Sequence, residues 1–305
     1  MTIAYYPIGQ PGKAWGDVEK KQWFELQSIK RSYHEDVVIP LQSIAKDGLT
    51  LQEFGCLEYG FNQYSQFLLK NKKLAKDKPH VLITGGVHGY ETSGVHGVIR
   101  FIQDYIHQYL DQYNFLIFPC ISPWSYETIN RWNPEAIDPN RSFYEESPAQ
   151  ECRSVMQVVK EYGQNILVHF DLHETTDTDA TEFTPALAAR DGKIIQRDIV
   201  PDGFYLVADR ENYCPKFHKA IIDQVRTVTH IAKADQQGNI LDVEVDQEGV
   251  IQYEARKLHL CSAMSQPQYS TTTEVYPDSP KVNAENCILA QVMAIIGGLE
   301  YLLKL

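Results

Sequence analysis

The sequence predicts an α/β fold: a mixed, largely parallel central sheet with helices on both faces. Three observations predict it. Short apolar runs at residues 80–84 (HVLIT), 115–121 (FLIFPCI) and 165–172 (NILVHFDL) have the length and composition of strands. Segments with helical features separate them, at 94–110 and from 147 to about 162. That alternation is the pattern of parallel strands joined by crossover helices. No internal repeat, low-complexity tract or Gly/Ser/Pro-rich linker interrupts it, so residues 1–305 read as a single domain.

The elements follow in order. Residues 15–46 read as helical, with Trp15, Val18, Phe24, Ile29, Tyr33 and Val37 on a rough apolar stripe and Pro40 kinking or ending it. Residues 1–50 are therefore expected to form a helical extension packed on the domain. Residues 57–61 and 64–69 alternate as a β pair. After the strand at 80–84, Gly85 and Gly86 break the run before the helix at 94–110. A polar loop, 122–147, follows the strand at 115–121. Ser147 as N-cap, Pro148 at N1 and Gln150 at N3 then start a helix. Further strands are expected at 204–208 and 271–275, and further helices at 215–233 and 285–303.

Composition excludes several classes of function. Lys and Arg number 28 against 40 Asp and Glu, a net charge of −12. Nucleic-acid binders show a basic excess or stripe, and the densest basic stretch, 70–78, is broken by Leu74 and Asp77. Neither nucleic acid nor an anionic membrane is an expected partner. The most apolar stretch, 288–303, carries Gln291, Glu300 and two glycines and is too short to span a bilayer. The N-terminus lacks a charged region followed by an apolar run. Six scattered cysteines form no CxxC and read as reduced thiols in a cytoplasmic protein. A chain this long buries a full core unaided, so a metal site would be functional rather than structural.

In sheets of this class, ligands bind beyond the carboxyl ends of the strands. Beyond 80–84 comes Gly86-Val87-His88-Gly89-Tyr90-Glu91, and at the end of 165–172 comes His173. Two histidines and one glutamate are a catalytic zinc ligand set that leaves a fourth position for water. The spacing of His88 and Glu91 lets both point the same way across a turn, which Gly89 helps to form. An isolated HxxE is mostly a surface helix pair; the Gly-Gly strand end and the downstream histidine give it meaning here. Glu274 ends the run Thr271-Thr272-Thr273-Glu274. There it is either a solvent-facing strand residue or the general base of the site. Arg131 and Arg141, in Asn130-Arg131-Trp132 and Asp138-Pro139-Asn140-Arg141, read either as surface salt-bridge partners or as an oxyanion donor and a carboxylate clamp. By strand parity Asp171 and His169 share the side of His173, while Glu174 faces away. Asp171 is placed to orient a ligand, and His169 reads as a satisfied core histidine. Asp177 and Asp179 read as solvated loop charges.

In order, HGYE, an arginine in a Trp-containing loop, PNR before an aromatic, DLH at a strand end, and a tyrosine ahead of a late strand glutamate resemble the M14 zinc carboxypeptidase clan over residues 80–276. The resemblance implies a zinc-carboxypeptidase-like fold and one zinc per chain, held by His88, Glu91 and His173. It implies Glu274 as general base, Arg131 as the residue polarising the scissile carbonyl, and Asn140 with Arg141 as the pair holding a terminal carboxylate. Tyr253 stands close to the family's mobile capping tyrosine, with a packed surface tyrosine as the alternative. DLH-Glu-Thr-Thr is similar to the DLH-Asn-Thr-Thr of the aspartoacylase and succinylglutamate desuccinylase branch. The implied function is a zinc-dependent metallocarboxypeptidase acting on the C-terminal residue of a small peptide, with N-acyl amino acid deacylation as the alternative. A non-catalytic zinc-binding interaction protein is the third reading; the presence of both Glu274 and Arg131 speaks against it. The residues reading the substrate side chain are expected around 258–260.

Overall fold

The computed structural model describes residues 6–46, 48–60, 62–162, 165–194 and 200–305. Its strands are β1 (Leu49–Tyr59), β2 (Asn62–Asn71), β3 (His80–Gly85), β4 (Asn114–Phe118), β5 (Ile166–Glu174), β6 (Tyr205–Asp209), β7 (Asn239–Ile240), β8 (Val243–Glu244), β9 (Val250–Tyr253) and β10 (Tyr269–Val275). Eight of them form one sheet in the order β1-β2-β4-β3-β5-β10-β6-β9, while β7 and β8 make a small hairpin. The centre, β4-β3-β5-β10, is parallel throughout, and β1, β2 and β6 bring the antiparallel pairings.

The helices are α1 (Asp17–Glu25), α2 (Ile39–Ile44), α3 (Thr92–Asp104), α4 (Pro123–Thr128), α5 (Gln150–Tyr162), α6 (Thr184–Asp191), α7 (Pro215–Val225) and α8 (Ala284–Leu302). Strand alternation sorts the core onto two faces. Val81 and Ile83 of β3 pack in one cluster with Val95 and Val98 of α3 and Ile295 of α8. Leu82 points the other way, into a cluster with Val155 and Val159 of α5. The sheet is thus the expected mixed, largely parallel one, with helices on both faces.

This topology fixes where a site can form. From β3 the chain crosses over α3 to β4 on one side. It then returns over α5, on the opposite face, to β5 on the other side of β3. The carboxyl ends of β3 and β5 are therefore a switch point, where diverging connections leave a crevice.

Several boundaries differ from the sequence expectations. The expected helix over 15–46 is broken into α1, a π-helical turn at His34–Val38 and α2. Between them, the N–H groups of Lys30 and Arg31 donate to Glu127 O rather than along a helix. Trp15, Tyr33 and Val37 are buried, but Val18 is 67% and Ile29 63% exposed, so the apolar residues do not share one helical stripe. Pro40 does not end the run: it sits at the start of α2, directly after the π-helical turn. β4 stops at Phe118, ahead of Pro119, which has no ladder donor. α5 begins at Gln150, although Ser147 Oγ still accepts from Ala149 N at 3.2 Å. α7 ends at Val225, short of 233. β1 and β2 are longer than expected, and Phe61 lies outside the described residues. α6, β9 and the β7–β8 hairpin were not anticipated. All six cysteines are free, and no helix among the described residues is long and apolar enough to cross a membrane.

Candidate metal centre and active site

The turn between β3 and α3 carries His88 and Glu91. Gly86 takes φ +59°, a conformation that glycine adopts without strain. A Cβ on Gly89 would lie 1.9 Å from the carbonyl carbon of Ser125, so only glycine lets the turn press against that loop. His173, near the end of β5, completes the cluster. His88 Nδ1 lies 2.6 Å from Glu91 Oε1, and His173 Nδ1 lies 2.7 Å from Glu91 Oε2. Ligand-type atoms of the three residues fall within 4.8 Å of one another, and all three side chains are buried.

Two imidazole nitrogens and one carboxylate converge, which suits a divalent cation of borderline softness. The far nitrogen of each imidazole meets a further carboxylate: His88 Nε2 lies 3.0 Å from Asp138 Oδ1, and His173 Nε2 lies 3.0 Å from Asp171 Oδ2. Such partners fix ring orientation and leave Nδ1 to the cation. The residues fit a metal.

The electrostatics agree. Burial works to raise the Glu91 carboxyl, but His173 and His88 overcome it and hold it below the ordinary range. Burial alone would lower His173, yet Asp171 and Glu91 raise it well above the usual imidazole value. The cluster thus attracts positive charge, which a proton or a cation satisfies in competition.

A cavity of about 550 Å³ opens beside the cluster. His88, Glu91, Arg131, Asn140, Arg141, Tyr253 and Glu274 line it, whereas His173 is buried and does not. Parallel pairing of β5 with β10 sets Glu274 directly across from His173. Glu274 Oε2 accepts from Thr175 Oγ1 at 2.8 Å, and Thr175 Oγ1 lies 2.6 Å from the Tyr205 hydroxyl. Burial pushes the Glu274 carboxyl up to about 8, against the pull of His173 and with Glu91 adding to the push. Arg131 donates from Nε to Asp138 Oδ2 at 3.1 Å and from Nη1 to Asp179 Oδ1 at 3.3 Å. Asn140 Oδ1 accepts from Cys261 N at 2.8 Å, while its Nδ2 stands 3.5 Å from His173 Nε2. Arg141 donates to Asn140 O at 2.7 Å. Tyr253 ends β9, in parallel register with Asp209 of β6. Of residues 258–260, Leu260 lines the cavity, while Leu258 and His259 are exposed.

Three residues do more than their sequence positions suggested. Asp138 bridges His88 and Arg131, and its only sequence signal was its place beside Asn140 and Arg141. Asp179 is not a solvated loop charge: it pairs with Arg131 and accepts from the Tyr90 hydroxyl at 2.6 Å. Glu174, on the opposite side of β5 from His173, accepts from Ser93 N at 2.7 Å at the start of α3. A second buried group, His169, Asp171 and Cys261, lies beneath the cluster. There the Thr84 hydroxyl donates to Asp171 at 2.7 Å and lies 2.9 Å from His169 Nε2, a network that braces Asp171.

Residues 77–199 match the family described as the succinylglutamate desuccinylase/aspartoacylase catalytic domain. That span takes in His88, Glu91, Arg131, Asn140, Arg141 and His173 but not Tyr253 or Glu274. Solved structures extend the likeness over nearly the whole chain. An inferred metallopeptidase of Shewanella amazonensis aligns with TM-score 0.63 and 17% identity, covering 87% of this chain and 90% of its own. A metallo-carboxypeptidase of Burkholderia cenocepacia aligns with TM-score 0.58 and 16% identity, covering 87% and 68%. Carboxypeptidase A of Helicoverpa armigera aligns with TM-score 0.55 and 12% identity, covering 95% and 73%. No curated protein matches the chain. The fold is similar to that of the M14 zinc carboxypeptidase clan, and residues 77–199 are similar to the aspartoacylase and succinylglutamate desuccinylase branch.

Proposed function

We propose that this chain is a zinc-dependent, metallocarboxypeptidase-like hydrolase cleaving the amide bond next to a free carboxylate, with residues 1–305 acting as one catalytic domain. The observation that carries the reading is Arg141. It lines the same cavity as Glu274 and two of the three candidate metal ligands, donates to Asn140 O, and forms no ion pair with a carboxylate among the described residues, although its charge helps lower Asp138. A planar guanidinium at the cavity wall suits a carboxylate brought by the substrate. Free thiols throughout the chain suit a cytoplasmic setting.

His88, Glu91 and His173 would hold one zinc. When bound, zinc supplies Lewis acidity, polarising an amide carbonyl and making water nucleophilic near neutral pH. Asn140 Nδ2 and the Arg141 guanidinium bind the substrate carboxylate and set its position. Glu274 takes the proton of the attacking water while Thr175 fixes its other oxygen. A cation held by the neighbouring ligands would draw its pKa down from about 8 and leave it ionised, as a general base must be. Arg131, steadied by Asp138 and Asp179, donates to the oxygen that gains charge as the water oxygen bonds to carbon. Glu274 passes its proton to the departing nitrogen as the C–N bond breaks. Tyr253, at the cavity edge, covers the bound substrate.

The family match over residues 77–199 favours a second reading, removal of an N-acyl group from an amino acid. The same residues serve both reactions, so substrates must separate them. Zinc-loaded protein is assayed on peptides with free C-termini, their C-terminal amides, and N-acetyl and N-succinyl amino acids. Release of the C-terminal residue from free peptides alone is expected. Hydrolysis confined to N-acyl amino acids would establish the deacylase. Stoichiometric zinc without any hydrolysis would leave the non-catalytic reading.

A further inference from the structure

The turn that carries His88 and Glu91 is neither helix nor strand, so something else must hold it. Part of that hold comes from Arg31, in the irregular stretch after α1. Its Nη2 donates to Gly89 O at 2.5 Å, its Nη1 to Thr92 Oγ1 at 2.7 Å, and its Nε to Tyr126 O at 2.7 Å. Gly89 and Thr92 bracket Tyr90 and Glu91. Tyr126 belongs to α4, against which Gly89 packs without room for a side chain. The guanidinium therefore bonds both walls of that contact. It also lies 3.7 Å from the centre of the Tyr126 ring. The backbone beneath it is anchored as well, since Lys30 N donates to Glu127 O at 2.8 Å.

We propose that Arg31 is a positioning residue for the metal centre. It locks the turn at residues 88–92 against α4, so that His88 and Glu91 keep their mutual geometry and the cation is retained. The proposal rests on the reading that a metal binds His88, Glu91 and His173. Its chemistry is specific to arginine. Three acceptors spread around one plane match the fixed fork of a guanidinium, whereas an ammonium group is a point donor that cannot span them. Through Arg31, the N-terminal segment reaches the metal centre without touching substrate.

The test measures metal retention in the full-length protein. Zinc affinity and release are followed by chelator competition for wild type, Arg31→Lys and Arg31→Gln, beside the cobalt(II) absorption spectrum and the Tm of the metal-free protein. The wild type should bind one zinc. Both variants should bind zinc about tenfold more weakly, the scale seen when a residue supporting a metal ligand is lost. They should also show a changed cobalt spectrum, with a metal-free Tm near that of wild type. Thr92→Val keeps Arg31 but removes one acceptor, and it should show a smaller loss in the same direction even if the Arg31 variants fold poorly. Wild-type affinity and spectrum in folded Arg31→Lys, with only the metal-free Tm lowered, would reduce Arg31 to a stabilising contact and overturn the proposal alone. Absence of zinc from the wild type would overturn the metal reading and this proposal with it.

Discussion

Asp138 lies 3.0 Å from Nε2 of His88, across fifty residues of sequence. Its other oxygen accepts from Arg131 Nε at 3.1 Å. One buried carboxylate thus orients both an imidazole of the candidate metal centre and the arginine beside it. Arg131 and His88 hold it ionised against the cost of burial. Asp138→Asn keeps the shape but weakens both bonds. If His88 holds zinc, we expect zinc affinity to fall by roughly 10- to 100-fold, the scale for partners of metal-bound histidines, with kcat falling as well. Chelator competition and steady-state kinetics check this. Unchanged values for both would mean that the contact is incidental.

Glu274 faces His173 across the β5–β10 ladder, with one oxygen held by Thr175. Glu274→Gln preserves size and can keep the Thr175 bond, but it cannot take a proton. Zinc should stay bound while kcat falls at least about a hundredfold, the effect of losing a general base. Turnover within a few-fold of wild type would remove Glu274 from that role. Loss of the metal together with activity would assign it to the metal cluster instead.

The sequence disclosed the strand ends because local chemistry marks them. An apolar run stopped by Gly85 and Gly86 needs no tertiary information, and neither does the spacing of His88 and Glu91. The partners of these residues were hidden for a physical reason. Asp138 and Asp179 act through contacts 50 and 48 residues away in the chain, and a loop carboxylate looks the same whether it pairs or is solvated. Register was hidden too: the sequence left Glu274 either facing solvent or in the site, and only the ladder sets it opposite His173. The failed helix over 15–46 has a related cause. Its central backbone donors go to Glu127 and its arginine to the 88–92 turn, so long-range bonds overrode the local pattern.

His218 on α7 is fully buried, with Nδ1 2.9 Å from Cys214 O. Burial lowers its pKa to about 4, against the backbone carbonyls of Cys214 and Ser270. The unfolded chain binds this proton near pH 6.5 and the native protein only near 4, so the unfolded state holds more protons between those values. Stability from this group is therefore complete above about pH 6.5 and falls as the pH drops towards 4, by up to ~3 kcal/mol. His218→Gln should flatten that part of the stability profile, whatever its effect at neutral pH. Denaturant midpoints from pH 4.5 to 7.5 measure the slope; identical slopes in the two proteins would show that His218 does not titrate this way.

The reading of the cavity turns most on Arg141. It donates one hydrogen bond, to Asn140 O, and its charge also helps lower the Asp138 carboxyl, but it forms no ion pair with a carboxylate among the described residues. If its ion-pair partner is the substrate's carboxylate, charge alone will not replace it. Arg141→Lys keeps the positive charge but loses the paired donors, so KM should rise about tenfold or more, the factor matching the ~1.5–3 kcal/mol of a charge-assisted bond. Amidating the C-terminus should cost the wild type far more in kcat/KM than it costs the variant, because the lysine enzyme has already lost most of that interaction. Asn140→Ala gives a second check, since it removes Nδ2 from the same site and should move KM in the same direction. Stability must be compared alongside, because Asn140 Oδ1 also accepts from Cys261 N. Equal cleavage of free and amidated peptides by the wild type would overturn carboxylate recognition. The cavity would then serve an internal amide or a side-chain amide, with the proposed roles of His88, Glu91, His173 and Glu274 unchanged.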